Sequence, residues 1–254
     1  MRLGIAFVLL LLAACGQQPA PLPPLFGQAV ALVRVTPYQT WGASLRDFPS
    51  YTLYGDGRLL VAEKNGRVWP EAREKRLDDA TMKALYAKAY DAGLARDSTL
   101  HANNVSDAMA TEFAIYGGRD HEYRLLAYAP RSEEGGALGE AADYLDELRE
   151  VSDAAGPGRP YVPRKVAAIG TAVPLSGRKD DVRPWPFPPL ADAPTVRGER
   201  CVLLEGDVVE KAKALADSSR FTTFWRSGEA TYTVAFRPLL PDETSCSDLK
   251  TGRP

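Results

Sequence analysis

Histidine is scarce in this 254-residue chain: only His101 and His121 are present, and they do not stand at the spacing of a metal-binding pair. There is no HExxH, so a zinc hydrolase has little to build from. A G-x-S-x-G elbow, a P-loop, a G-x-G-x-x-G behind a strand and an EF-hand series are also missing. These gaps remove the inherited fingerprints of many hydrolases, nucleotide-binding enzymes and calcium sensors, and with them any cofactor motif. A carboxylate site assembled from distant residues stays open. Basic residues show no surplus, with 31 Lys and Arg against 33 Asp and Glu. Nucleic-acid binding wants a concentrated basic face, so no nucleic-acid partner is expected. Long apolar runs are absent too. Leu3 to Ala14 is twelve residues, and at about 1.5 Å per helical residue it reaches about 18 Å, short of the roughly 30 Å of a hydrocarbon core.

What that run does have is the grammar of an export signal: Arg2 before it, and small residues at its end. Leu12-Ala13-Ala14-Cys15 then resembles the lipobox of bacterial lipoproteins. The resemblance implies diacylglycerol on the Cys15 thiol, cleavage just before it and an acylated new amino terminus. Cysteine suits that role because its thiolate is a strong nucleophile. The competing reading is an ordinary secretory signal cleaved elsewhere. One acyl chain binds membrane only marginally, and two or three make the anchor durable. From Gln17 to Phe26 the sequence QQPAPLPPLF favours an extended polyproline tether of up to about 30 Å. The expected address is therefore extracytoplasmic and lipid-anchored to the bacterial cell membrane, with the membrane engaged through Cys15.

Without residues 1–14 the chain carries 30 basic and 33 acidic residues, a net charge of −3, and its 240 residues suffice for one large or two small domains. A hydrophobic content of 45% is that of a globular protein rather than a disordered one. Cys201 and Cys246 are the two cysteines outside the anchor, and in an exported protein such a pair is expected to form a disulfide. A metal site would want more ligands nearby, and neither histidine lies in that half.

Periodicity predicts an α+β fold of antiparallel hairpins packed against a few helices. Strands are expected over 29–36 and in hairpins about Gly55-Asp56-Gly57 and about Gly117-Gly118-Arg119-Asp120, with Asp56 serving the turn. A helix capped by Asp78 or Asp79 should bury Met82, Leu85, Tyr86 and Ala89 and end at Gly93, with Leu94 folded back on it. A second helix spans about 138–152 and buries Leu138, Ala141, Ala142, Leu145 and Leu148. After the stretch GPGRPYVP come a strand over 165–173, a long irregular segment, a strand from Cys201, a helix over 207–218 and a hairpin about Ser227-Gly228. In the irregular segment Trp185 and Phe187 either form an exposed binding surface or drop into the core; the core is favoured. The organisation expected is a signal peptide (1–14), a lipidated cysteine with its tether (15–28), and α+β subdomains over 29–155 and 156–254, the second holding the disulfide.

One polar cluster invites a chemical reading, the loop His101-Ala102-Asn103-Asn104-Val105-Ser106-Asp107. His101, Asn103, Asn104 and Asp107 could offer oxygen ligands to calcium or a His/Asp pair for general base work. The same residues are also the material of an ordinary loop. Asn104-Val105-Ser106 matches a glycosylation acceptor, which the lipobox argues against. The motifs YTLYGDGRLL and FWRSGEATYTVAFRPLLPDETSC, together with the lipobox, resemble an uncharacterised group of secreted lipoproteins from high-GC, actinobacterial-type organisms. That resemblance spans most of the mature chain, is looser in the middle, and implies the localisation and the disulfide rather than a mechanism. The function expected is a non-catalytic binding or envelope-associated module with an envelope protein or peptide partner. The alternative is an envelope hydrolase with a carboxylate or His/Asp site.

Overall fold

The computed structural model describes residues 27–38, 45–63, 66–102, 109–118, 121–174 and 181–249. Among them the chain builds three α-helices and two mixed, mainly antiparallel sheets, the α+β class that the periodicity predicts.

The first sheet is made of β1 (Ala31–Tyr38), β2 (Tyr51–Tyr54), β3 (Arg58–Glu63), β4 (Glu71–Arg76), β5 (Ser98–His101), β6 (Ala110–Gly118), β7 (His121–Tyr128) and β8 (Arg159–Pro160), in the order β5-β7-β6-β1-β2-β3-β4-β8. Alternation sorts its side chains. Leu53, Leu59, Phe113, Ile115, Leu125 and Ala127 face one side, where α1 (Asp79–Asp91) and α2 (Gly136–Ala154) cover them. In α1 the buried residues are Met82, Leu85, Tyr86 and Ala89, the stripe expected from 3.6-residue spacing. Asp78 caps it by accepting from the Thr81 amide at 2.7 Å. Its other end closes on Gly93 at φ +67°, with the Leu94 amide donating to the Ala89 carbonyl and Leu94 fully buried.

The second sheet comprises β9 (Lys165–Ala172), β10 (Val182–Pro184), β11 (Thr195–Val196), β12 (Glu199–Glu205), β13 (Phe224–Ser227) and β14 (Ala230–Pro238), ordered β10-β13-β14-β9-β12-β11. Its central strand β9 is buried on both faces, which is why its sequence is an unbroken apolar run rather than an alternating one. Val166 and Ala168 face α3 (Asp207–Asp217) and a cluster holding Trp69, Trp185, Trp225 and Phe236, while Ala167 and Ile169 face Leu45, Cys201, Leu239 and Leu249. Trp185 thus lies in the core, its indole N–H donating to the Pro188 carbonyl at 2.9 Å, and Phe187 packs beside it.

Several elements depart from the periodicity reading. β4 has the sequence EAREKR, with little apolar alternation to reveal it. It exists because β3 and β8 pair on either side of it and because Arg73 reaches Glu63 at 2.8 Å and Arg159 reaches Glu74 at 2.7 Å. β5 is short and pairs parallel to β7. β8 extends the first sheet to Pro160, so the chain changes sheets over 161–164, across the second half of the GPGRPYVP stretch and a few residues after its start at Gly156. The halves also exchange parts: Leu45 and Trp69 from the first half sit in the second sheet's cores, and Leu240 from the C-terminal part packs on Tyr54 and Leu60. No helix among the described residues is long and apolar enough to cross a membrane.

Cys201 of β12 and Cys246 are bridged, closing a separation of 45 residues. In the chain-entropy account a loop of that size contributes about 4 kcal/mol. Reduction with dithiothreitol, or the pair Cys201→Ser and Cys246→Ser, is expected to lower the unfolding free energy in urea by that order; an unchanged midpoint would show that the bridge adds nothing to the fold.

Candidate functional site

The last strand leaves its sheet at Arg237-Pro238-Leu239-Leu240-Pro241-Asp242-Glu243. Two prolines without amide protons suit a departure from the ladder, and residues 240–243 close a turn in which the Leu240 amide donates to Glu243 Oε2 at 2.7 Å and the Glu243 amide to the Leu240 carbonyl at 2.9 Å. This turn carries two carboxylates into the space between the sheets. Asp242 accepts from Arg34 Nη2 at 2.7 Å and from the Tyr54 hydroxyl at 2.8 Å, both residues of the first sheet. Glu243 accepts from Arg237 Nη2 of the second sheet at 3.0 Å and lies 3.7 Å from Arg34 Nη1. Arg237 also donates to the Asp47 carbonyl at 3.0 Å and lies over the Phe48 ring. The result is one chain of charge, Tyr54–Asp242–Arg34–Glu243–Arg237, from sheet to sheet.

The side chains of Arg237 and Glu243 are 3% and 2% exposed, and that of Arg34 is 6%. Burial works to lower the Arg34 pKa, but the Asp242 and Glu243 carboxylates overcome it and the net direction is up. Burial, then the charge of Asp242, pushes the Tyr54 phenol well above its ordinary range. Arg34 Nε and Thr52 Oγ1, on paired positions of β1 and β2, are buried with no protein partner among the described residues. Such a network is expensive in desolvation, and removing one partner of a buried pair costs about 3–5 kcal/mol. Its direct gift is geometric: it fixes where the tail lies.

Beside that turn a cleft of about 780 Å³ opens where the two sheets meet. Its charged lining is Arg58, Arg159, Arg164, Lys165, Glu74 and Glu243, and its apolar lining includes Val162, Leu239, Leu240 and Pro241. Arg58 comes from the first hairpin. There Asp56 takes the Arg58 amide at 3.1 Å and Nε at 2.8 Å, so Asp56 serves the turn and aims the arginine. Gly57, at φ +83°, could not accept a side chain, since a Cβ would stand 2.8 Å from the Leu77 carbonyl oxygen. Gly158, at φ +64° with a Cβ position 2.6 Å from the Glu74 carbonyl, likewise lets Arg159 and Tyr161 cross the sheet edge. Tyr161 donates to the Leu239 carbonyl at 2.6 Å; burial, then Glu243, holds its phenol neutral far above the usual range.

The residues singled out by sequence fare differently. Cys15, Asn103, Asn104 and Asp107 lie outside the described residues. His101 ends β5, exposed, stacked on the Tyr128 ring at 4.6 Å, and His121 stands edge-on to Tyr123 at 4.4 Å. Among the described residues no three of His, Cys, Asp and Glu converge as metal ligands. Sequence reasoning passed over the cleft and the charge chain. The signals available were the Arg164-Lys165 pair at the start of β9 and an acidic pair, Asp242-Glu243, directly after an apolar turn bracketed by prolines. No protein-family model, curated protein or solved structure matches the chain significantly.

A raised phenol pKa makes the neutral form the folded form. The contribution of Tyr54 is therefore whole below the unfolded value of about 10 and is lost as pH rises beyond it. Urea unfolding followed from pH 8 to 12 should show stability declining above pH 10, with the slope shallower by about 1.4 kcal/mol per pH unit in Tyr54→Phe. Identical slopes would remove Tyr54 from the network's account.

Proposed function

We propose that the chain is an extracytoplasmic protein anchored through diacylglycerol on Cys15, and that it acts by holding a ligand in the cleft between its sheets rather than by breaking bonds. The observation that carries this reading is the position of the cleft. Both sheets contribute walls, and Ala29, the first residue after the tether, lines it. An anchored protein whose opening lies where its tether joins the folded part holds that opening within a tether's length, up to about 30 Å, of the bilayer. The volume lies within the roughly 300–1,000 Å³ usual for small-molecule sites.

The cleft offers binding groups without a reacting set. Glu243 has both oxygens committed and Glu74 accepts from Arg159, so neither carboxylate stands free as a base. His101 is packed on Tyr128 at the edge of the first sheet. No observation favours the hydrolase reading.

Intact-mass analysis of the protein extracted from membranes tests the anchor. The expected mature species begins at Cys15 and carries the mass of diacylglycerol with or without an amide-linked acyl chain; Cys15→Ser should remain unprocessed. A free thiol at position 15, or a mature start downstream of it, would contradict the reading.

A further inference from the structure

Resting on the cleft being a binding site, we infer that its ligand is an amphiphilic anion, a phosphate or carboxylate head on an apolar body. The charge balance of the lining comes first. Four of its residues are cationic and two acidic, in a chain that is acidic as a whole. Glu243 is 2% exposed and its oxygens are taken by Arg237 Nη2 and the Leu240 amide, so it presents almost no charge to the opening. Glu74 is answered by Arg159. On the cationic side Arg58 lines the cleft but engages Asp56 through Nε and lies over the Tyr54 ring at 4.9 Å, so its charge is partly answered. Lys165 is shared between Glu205 at 3.2 Å and the Thr244 carbonyl at 3.3 Å. Arg164 is exposed and has no hydrogen-bond or ion-pair partner among the described residues. The cleft therefore has spare cation and no spare anion, and a concave site of one sign concentrates ligands of the other. A guanidinium is also the group best matched to the paired oxygens of carboxylate or phosphate.

The apolar half of the ligand follows from the remaining lining. Val162 is 71% exposed, one of three large apolar side chains so placed among the described residues, and it stands two residues from Arg164 in the lining. Pro160 and Pro241, both exposed, add to the apolar lining, with Leu239 and Leu240 buried behind them, and the Tyr161 hydroxyl is already spent on the Leu239 carbonyl. A bare inorganic anion would leave these surfaces wet. A cationic ligand would meet unanswered arginine. Two sources share the required chemistry: the head of an anionic phospholipid in the adjoining bilayer, or a free amphiphile of similar size.

The full-length chain in phosphatidylcholine nanodiscs, titrated with hexyl phosphate, hexanoate, hexyltrimethylammonium and inorganic phosphate, tests this by calorimetry and by hydrogen exchange over 159–165 and 239–244. Hexyl phosphate and hexanoate are expected to bind and to slow exchange in both segments. Arg164→Glu should weaken hexyl phosphate by about tenfold or more without moving the melting temperature, since charge-assisted contacts are of that order. Val162→Asp should weaken hexyl phosphate more than inorganic phosphate. Slowed exchange on passing to phosphatidylglycerol discs with nothing added places the head in the bilayer; slowing by added hexyl phosphate alone assigns a free amphiphile. Either supports the inference. Equal or tighter binding of hexyltrimethylammonium, or no effect of Arg164→Glu, would overturn the anion assignment while leaving the cleft a binding site. No slowing at 159–165 by any probe would overturn the cleft reading itself.

Discussion

Two adjacent carboxylates, Asp242 and Glu243, decide how the two sheets of this protein sit against each other. Each reaches a different arginine, Arg34 on the first sheet and Arg237 on the second, and Glu243 lies near enough to feel both. Buried ion pairs are a poor source of net stability, because desolvation offsets most of their attraction. They are an effective source of specificity: any other placement of residues 239–243 strands at least one buried charge. The apolar contacts of Leu240 with Tyr54 and Leu60, and of Leu239 with Ile169 and Cys201, supply the hydrophobic gain, and the charges select the register in which it is taken.

The same segment is held from its far end by the Cys201–Cys246 bridge, so a short stretch of chain is fixed on both sides. That stretch forms one wall of the cleft, and the crossing over 161–164 forms another. Joining the sheets and shaping the site are consequently one structural task. A site whose walls are fixed before a ligand arrives avoids part of the ordering cost of binding. The exchange of Leu45 and Trp69 into the second sheet's cores extends the same logic, since neither half can complete its packing alone.

What the sequence makes legible is local. Met82, Leu85, Tyr86 and Ala89 share a helical stripe, Gly93 and Leu94 end it, and the glycine turns fix two hairpins; each of these signals lives within a few residues. β4, β5 and β8 are illegible for the opposite reason, since EAREKR, STLH and the dipeptide Arg159-Pro160 become strands only through neighbours brought from elsewhere. The site is less legible still. Arg34 and Asp242 are 208 residues apart, and the cleft draws on the first hairpin, β4, the sheet crossing and the C-terminal turn. The loop from His101 to Asp107 attracted a chemical reading because its polar residues are contiguous, whereas the basic lining of the cleft is scattered and looks like ordinary surface charge.

The central claim is that the charge chain makes the two sheets one cooperative body. Urea unfolding followed by two probes in a Trp41→Phe background tests it: tryptophan fluorescence, then confined to Trp69, Trp185 and Trp225 of the second core, and hydrogen exchange in peptides of α1 and α2, which report on the first. The account predicts coincident midpoints in that background and separated ones when Glu243→Ala is added. Separated midpoints in the background alone would contradict it.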